Sequence, residues 1–210
     1  TYPGQELMSD ESFVDGSLPG GWSTTTNAEC DNPGWYVTED ASSSYFTIPS
    51  GDGFYIATND DACGGSSDGS NDMLYTSGIS LPDGLVELSF RRFFTGGFGQ
   101  TFHVLLTTDN WENMTEILNL DGWDANEEWV KETIDLQAYA GESVAIAFHS
   151  NDNGNWASGA ALDDIQLGMT PLWISSSSTG TIQYQGVETF EFSISTAGLS
   201  DGNYSASVVV

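Results

Sequence analysis

The 210-residue chain carries 31 Asp plus Glu against 3 Lys plus Arg, a formal net charge of −28. So few cations cannot neutralise phosphates, which excludes nucleic acid as a partner, and an anionic membrane surface would repel the chain. A hydrophobic fraction of 39% with 12% aromatics is rich enough for a packed core and argues against disorder, while no segment approaches the ~20 apolar residues of a membrane span.

Helical periodicity is nearly absent. The one weak stretch, Trp123 to Glu132, is rich in Asp and Asn and reads as a loop. Short apolar or aromatic runs separated by Gly, Asn, Asp and Ser clusters recur instead. In chain order they predict strands at Trp35–Thr38, Tyr45–Ile48, Gly53–Ala57, Met73–Thr76, Leu85–Thr95, Gln100–Thr107, Glu116–Leu120, Val130–Asp135, Ser143–Ser150 and Ala160–Leu167. That pattern predicts an all-β fold, a β-sandwich or jelly roll, over residues 1–168. In Ser143–Phe148, for example, Val144, Ile146 and Phe148 share one face and the small alanines the other. Composition shifts at Gly168-Met169-Thr170-Pro171, after which three or four further strands predict a second, small β unit over 171–210. It ends on Val208-Val209-Val210 without a turn, so it is expected to be truncated or completed by packing on the first unit.

Self-repulsion at this charge is relieved by external salt or by bound divalent cations, and both place the protein outside the cell, secreted or on a cell surface. An acidic surface serving solubility alone is the other explanation of the overall charge. Cys30 and Cys63 are the only cysteines. An even count in an extracellular-looking chain predicts a disulfide, closing a loop of ~33 residues; two free thiols are the alternative. With no histidine nearby they cannot form a zinc site.

The catalytic inventory is thin. His103 and His149 lie within apolar strands, with no Gly-x-Ser-x-Gly element or similar nucleophile motif to accompany them. His103 is expected at an outward or edge position, and no catalytic residue is predicted. Arg91 and Arg92, inside an aromatic strand, are expected to be structural partners of carboxylates.

Metal ligation is better supported, because calcium takes six to eight oxygens from carboxylates, amides, backbone and water. Three acidic stations fall at turns or inside apolar strands: Glu11 with Asp10; Asn59-Asp60-Asp61 followed by Asp72; and Asp163-Asp164. An acidic pair in an apolar strand is costly unless neutralised, and no Lys or Arg lies near Asp163-Asp164 in sequence, so a cation is the simplest partner. The alternative has Asp163 capping backbone amides and Asp164 facing solvent. None of these runs is an EF-hand, so the site would be assembled from distant strands and structural in role. Tryptophans in Gly-, Asn- and Asp-rich surroundings, Trp111, Trp123 and above all Trp156, are candidate ligand platforms, whereas Trp129 is expected to pack.

Glu11-Ser12-Phe13 with Leu18-Pro19-Gly20-Gly21-Trp22, Asn71-Asp72-Met73-Leu74 before Ile79-Ser80-Leu81, and Thr107-Thr108-Asp109-Asn110-Trp111 follow one another in the order of the cleaved-adhesin, or choice-of-anchor J, family. Trp129-Val130 through Ile134-Asp135-Leu136 and Ala138-Tyr139-Ala140-Gly141, then Gly159–Ile165, complete the resemblance over about residues 8–168. It implies a jelly roll related to MAM domains and to the haemagglutinin-adhesin modules of gingipains, holding structural calcium beside other domains of secreted bacterial proteins. By position it implies Glu11, Asn59–Asp61 and Asp163 as ligands, with Asp72 and Asp164 behind them. The insertion Ala62–Ser70 departs from the family. Pro171-Leu172-Trp173-Ile174, Gly180-Thr181 and Gly198–Tyr204 resemble bacterial Ig-like repeats. The expected function is therefore a monomeric, non-catalytic accessory module that binds an extracellular glycan or protein surface and is linked to a catalytic or repeat domain. A spacer with no ligand of its own is the alternative, and a hydrolase the third option.

Overall fold

Val144, Ile146 and Phe148 do share one buried face, and the residues they meet define the architecture. Phe148 stands edge-on to Phe90 at 5.2 Å, and Ile146, Leu74, Val104, Leu106 and Leu162 close around them. The computed structural model describes residues 8–27, 34–48, 53–63, 70–84, 86–121, 128–169, 174–176 and 192–194. The strands are β1 Met8–Glu11, β2 Ser23–Thr25, β3 Tyr36–Thr38, β4 Tyr55–Thr58, β5 Asn71–Tyr75, β6 Ile79–Ser80, β7 Val86–Phe94, β8 Thr101–Thr107, β9 Thr115–Asp121, β10 Val130–Asp135, β11 Ser143–Asn151 and β12 Ala160–Met169. One antiparallel sheet runs β10-β7-β12-β4-β3 with β1 also on β12; the other runs β2-β5-β11-β8-β9 with β6 on β11. The core lies between these two sheets. Each large apolar side chain buried there stabilises the fold by about 1.5–3 kcal/mol. Among the described residues no helix is long and apolar enough to cross a membrane. In the C-terminal segment, β13 Ile174–Ser176 pairs antiparallel with β14 Phe192–Ile194.

The predicted strand Tyr45–Ile48 is not a strand. Its alternation is real, since Phe46 and Ile48 are buried and Tyr45 is exposed, but no neighbouring strand takes up its backbone. The segment lies as a loop over the outer face of the first sheet, where Phe46 and Ile48 join Tyr55, Ala57, Phe93 and Ala161 in a second apolar cluster. Period-2 patterning reports which side chains face the protein and says nothing of ladder hydrogen bonds. Trp129 packs as expected, against Tyr55 at 5.8 Å and Phe93 at 6.0 Å, with the Arg91 guanidinium 5.3 Å from its ring.

Asp163 and Asp164 sit at a bulge in β12, where the pairing with β7 shifts register and Asp164 adopts φ 50. Asp163 Oδ1 accepts the Asp164 amide at 2.8 Å, and Arg91, 73 residues away in sequence, reaches Asp164 at 3.4 Å. Sequence distance hid this cation, so the absence of a nearby base no longer argues for metal there. Arg92 Nε donates to Glu132 at 2.8 Å, in keeping with a structural role for both arginines.

Candidate functional site

One end of the sandwich gathers the C-terminal ends of β4, β7 and β11 with the N-terminal ends of β5, β8 and β12. The polar turn Asn59-Asp60-Asp61 continues from β4, whose four residues are all buried, and so is carried inward. Asp60, Asp61, Asp72 and Asp152 are 5%, 6%, 2% and 1% exposed. Thr58 and Thr26 donate hydroxyls to Asp72, Ser43 donates its hydroxyl to Asp61, and the Tyr45 amide reaches Asp61 Oδ2 at 2.8 Å. Asp60 Oδ2 accepts the Ala157 amide at 2.6 Å, and Asp152 Oδ1 accepts the Gly154 amide at 2.8 Å. Gln100, also buried, joins Ser150 at 2.9 Å to the Gly159 amide at 3.2 Å. Every one of these donors is neutral.

These carboxylates brace loops. Asp61 holds the loop bearing Tyr45, and Asp60 and Asp152 hold either side of Trp156. Asn153, at φ 55, donates to Gly99 O at 2.9 Å and so ties the same loop to the Gly96–Gly99 turn carrying Phe98. The three aromatics meet above the acidic pole: Tyr45 is edge-on to Trp156 at 5.2 Å, and Phe98 stacks on Trp156 at 6.3 Å and 12°. Exposures of 71%, 60% and 38% for Tyr45, Phe98 and Trp156 make this an outward ridge. Tyr45, Phe98 and Asp152 are missing from the sequence candidates. An aromatic flanked by glycines, as in Gly97-Phe98-Gly99, was the available signal for Phe98; Tyr45 was masked by its strand-like alternation.

The structure brings Asn59, Asp60, Asp61 and Asp72 together at this pole and leaves Asp163 and Asp164 on the sheet beside Arg91. The side chains of Glu11 and Cys63, and all of Cys30 and Trp123, lie outside the described residues. Among the described residues no three His, Cys, Asp or Glu side chains gather so as to hold a metal ion. The donor set is mixed, with carboxylates beside the Asn59 amide and Ser and Thr hydroxyls. It contains no thiolate or imidazole among the described residues, so it is not a zinc set. Trp111 lies at the opposite end, half-buried against Tyr75 at 4.9 Å.

The histidines stand on the outer face of the second sheet. His103 contacts Glu116 at 3.1 Å and Asp121 at 3.0 Å, and His149 bonds to Asn71, with the two rings 5.8 Å apart. Their partners are carboxylates and an amide. Burial, and secondarily the charge of His103, push the His149 pKa down. The unfolded chain then takes up a proton near pH ~6.5 that the folded state resists, so this contribution to stability is whole above that pH and is lost as pH falls towards the lowered value. His149→Gln is expected to lose less melting temperature than the parent between about pH 7 and about pH 5.5 in circular-dichroism melts. An equal or larger loss in the variant contradicts the assignment.

The model of the MAM domain (meprin/A5/mu) family matches residues 12–171. Search of the curated proteins found no match. Among solved structures, the K1 cleaved adhesin domain of Lys-gingipain from Porphyromonas gingivalis W83 is similar at TM-score 0.54 and 18% identity, covering 77% of this chain and 97% of that one. TmCBM61, solved in complex with β-1,4-galactotriose, is similar at TM-score 0.52 and 13% identity, over 79% and 99% of the two chains. The enzymatically active domain of tailspike protein 4 of bacteriophage CBA120 is similar at TM-score 0.52 and 11% identity, over 79% of this chain and 21% of that one. At these identities the likeness is one of fold alone, which is shared by binding modules and by an enzyme. The family match spans most of the chain, and with the two-sheet architecture it shows that the chain belongs to the MAM domain (meprin/A5/mu) family.

Proposed function

We propose that this chain is a non-catalytic accessory module of a secreted protein, binding an extracellular polymer or surface, glycan or protein, through the Tyr45–Trp156–Phe98 ridge. The observation that carries this reading is the ridge itself: three exposed aromatics from three separate loops, with Tyr45 and Phe98 each in ring contact with Trp156 and their loops braced by hydrogen bonds. Large rigid rings give contact area at low entropic cost and stack on sugar faces or apolar side chains. Structures of the same fold that include an adhesin domain and a galactotriose complex support the reading.

The pole beneath is proposed to hold structural calcium. Asp60, Asp61, Asp72 and Asn59 would supply oxygens, with Asp152 beside them, and the ion would supply the positive charge that buried carboxylates require. Arg91 already serves Asp164, so Asp163 and Asp164 are secondary in this proposal.

Trp156→Ala and Phe98→Ala are each expected to weaken retention on a glycan array, or in a pull-down of extracellular proteins, by about 10-fold or more while leaving the melting temperature within a few degrees. Retention unchanged in both variants removes the ridge from the binding site. A spacer with no ligand responds to chelation in its melting curve and retains nothing on either surface.

A further inference from the structure

At the end of the sandwich opposite the ridge, the segment after β5, the end of β8 with the turn that follows it, and the start of β11 border an open cleft of about 400 Å³. That is within the size range of sites for small ligands, ~300–1,000 Å³. Its wall is the indole of Trp111, and the backbone holding that ring is unusual. Asn110 and Trp111 have φ 58 and 71 in succession, a left-handed conformation that Asn adopts readily and a bulky Trp avoids. Such strain persists only where surrounding bonds impose it and concentrates at functional sites. Here Asp109 imposes it, accepting the Asn113 amide at 2.9 Å, the Asn113 side chain at 2.6 Å and the Thr107 hydroxyl at 2.8 Å. Thr107 Oγ1 in turn accepts the Trp111 amide at 3.1 Å, and Tyr75 buttresses the ring.

The rest of the lining is small and polar. Thr108, Asn110 and Ser143 border the cleft at exposed positions, and no side-chain hydrogen bond among the described residues occupies their hydroxyls and amide. Gly78 borders the cleft, and a Cβ there would meet no atom within 4 Å, so a side chain added at this position has room. Asn113 and Thr107 hold the Asp109 carboxyl in the lining below its usual pKa, so it stays charged. With the net charge of −28, that disfavours a carboxylated or sulfated ligand.

We infer that this cleft is a second binding site, distinct from the ridge, that takes a neutral saccharide, with the Trp111 ring stacked on a pyranose face and Thr108, Asn110 and Ser143 bonding its hydroxyls. An aromatic face for the C–H side of a sugar, ringed by short neutral donors and acceptors, is the complement of an uncharged pyranose. With the ridge at the far end, such a module would contact its polymer at two points, and two-point attachment raises avidity without strengthening either contact.

The test is affinity electrophoresis in gels carrying galactan, xylan, mannan or mixed-linkage glucan, with alginate as the anionic control. Phe98→Ala/Trp156→Ala is the working background, so the ridge contributes nothing. Retardation in at least one neutral gel is expected to persist in that background. It should fall by about 10-fold or more on adding Gly78→Tyr, which fills the cleft from a position with room for it, at an unchanged melting temperature. Trp111→Phe, which keeps a ring, is expected to retain part of the retardation that Trp111→Ala loses. Retardation that Gly78→Tyr leaves intact, retardation in alginate alone, or none in any neutral gel overturns the assignment. Failure of the ridge reads separately, as identical behaviour of the parent and Phe98→Ala/Trp156→Ala.

Discussion

EDTA is expected to lower the melting temperature by about 5–15 °C, and calcium to restore it. An ion present at 100 to 1,000 times its dissociation constant stabilises the folded state by about 2.7–4.1 kcal/mol. For a domain of this size each kcal/mol shifts the midpoint by about 2–4 °C. The sign of one substitution makes the test sharper than the size of the shift. Asp60 is 5% exposed and accepts the Ala157 amide. Asp60→Asn keeps an oxygen for that amide and removes the charge. In calcium it is expected to destabilise, because a ligand is lost. In EDTA it is expected to stabilise, because a buried anion without its cation is gone. Asp164→Asn serves as control: it loses a half-exposed pair with Arg91 at 3.4 Å, worth about 1 kcal/mol or less. A melting curve indifferent to chelator, with Asp60→Asn acting alike in both conditions, removes the metal from the account. Chelation should also weaken binding at the ridge, because the same carboxylates that would hold the ion brace the loops of Tyr45 and Trp156.

The sandwich was legible because alternation is a local property. Val144, Ile146 and Phe148, or Phe90 and Phe94, announce their buried face wherever the chain goes. The acidic stations were legible in part. Asn59–Asp61 and Asp72 stood out as polar runs beside apolar strands, and all four are buried. Asp163 and Asp164 stood out equally, yet their environment depends on β7 lying next to β12, a pairing that no local signal encodes. The ridge was the least legible. Trp156 was visible as a tryptophan in an Asn-rich turn, but its neighbours Tyr45 and Phe98 come from loops more than 50 residues away. They are brought there by the return of β11 and β12 to the same end of the sandwich. Asp152 was hidden for the same reason: one Asp among 31 acidic residues carries no signal until burial distinguishes it.

Gly159→Ala is expected to destabilise the domain by about 3 kcal/mol or more and to abolish binding at the ridge in whatever remains folded. Gly159 has φ +151, and a Cβ there would lie 2.4 Å from the Thr58 carbonyl oxygen and 2.8 Å from Phe46 Cε1. Neither can yield locally. Thr58 is the last residue of β4, paired with Ala160, and leads directly into Asn59–Asp61. Phe46 is pinned against Phe93 at 5.8 Å and anchors the loop that presents Tyr45. The added methyl therefore pushes on the acidic pole from one side and on the ridge from the other. Gly53 supplies the comparison, with a similar backbone at φ +144 and nothing within 4 Å of its Cβ position. Gly53→Ala is expected to show the conformational penalty alone, about 1 kcal/mol or somewhat more, with binding intact. The difference between the two variants in denaturant melts isolates the close approach from the glycine-only backbone. Equal destabilisation by both would mean that the backbone conformation, and not the packing of Phe46 and Thr58 around Gly159, fixes this corner and the aromatic surface it carries.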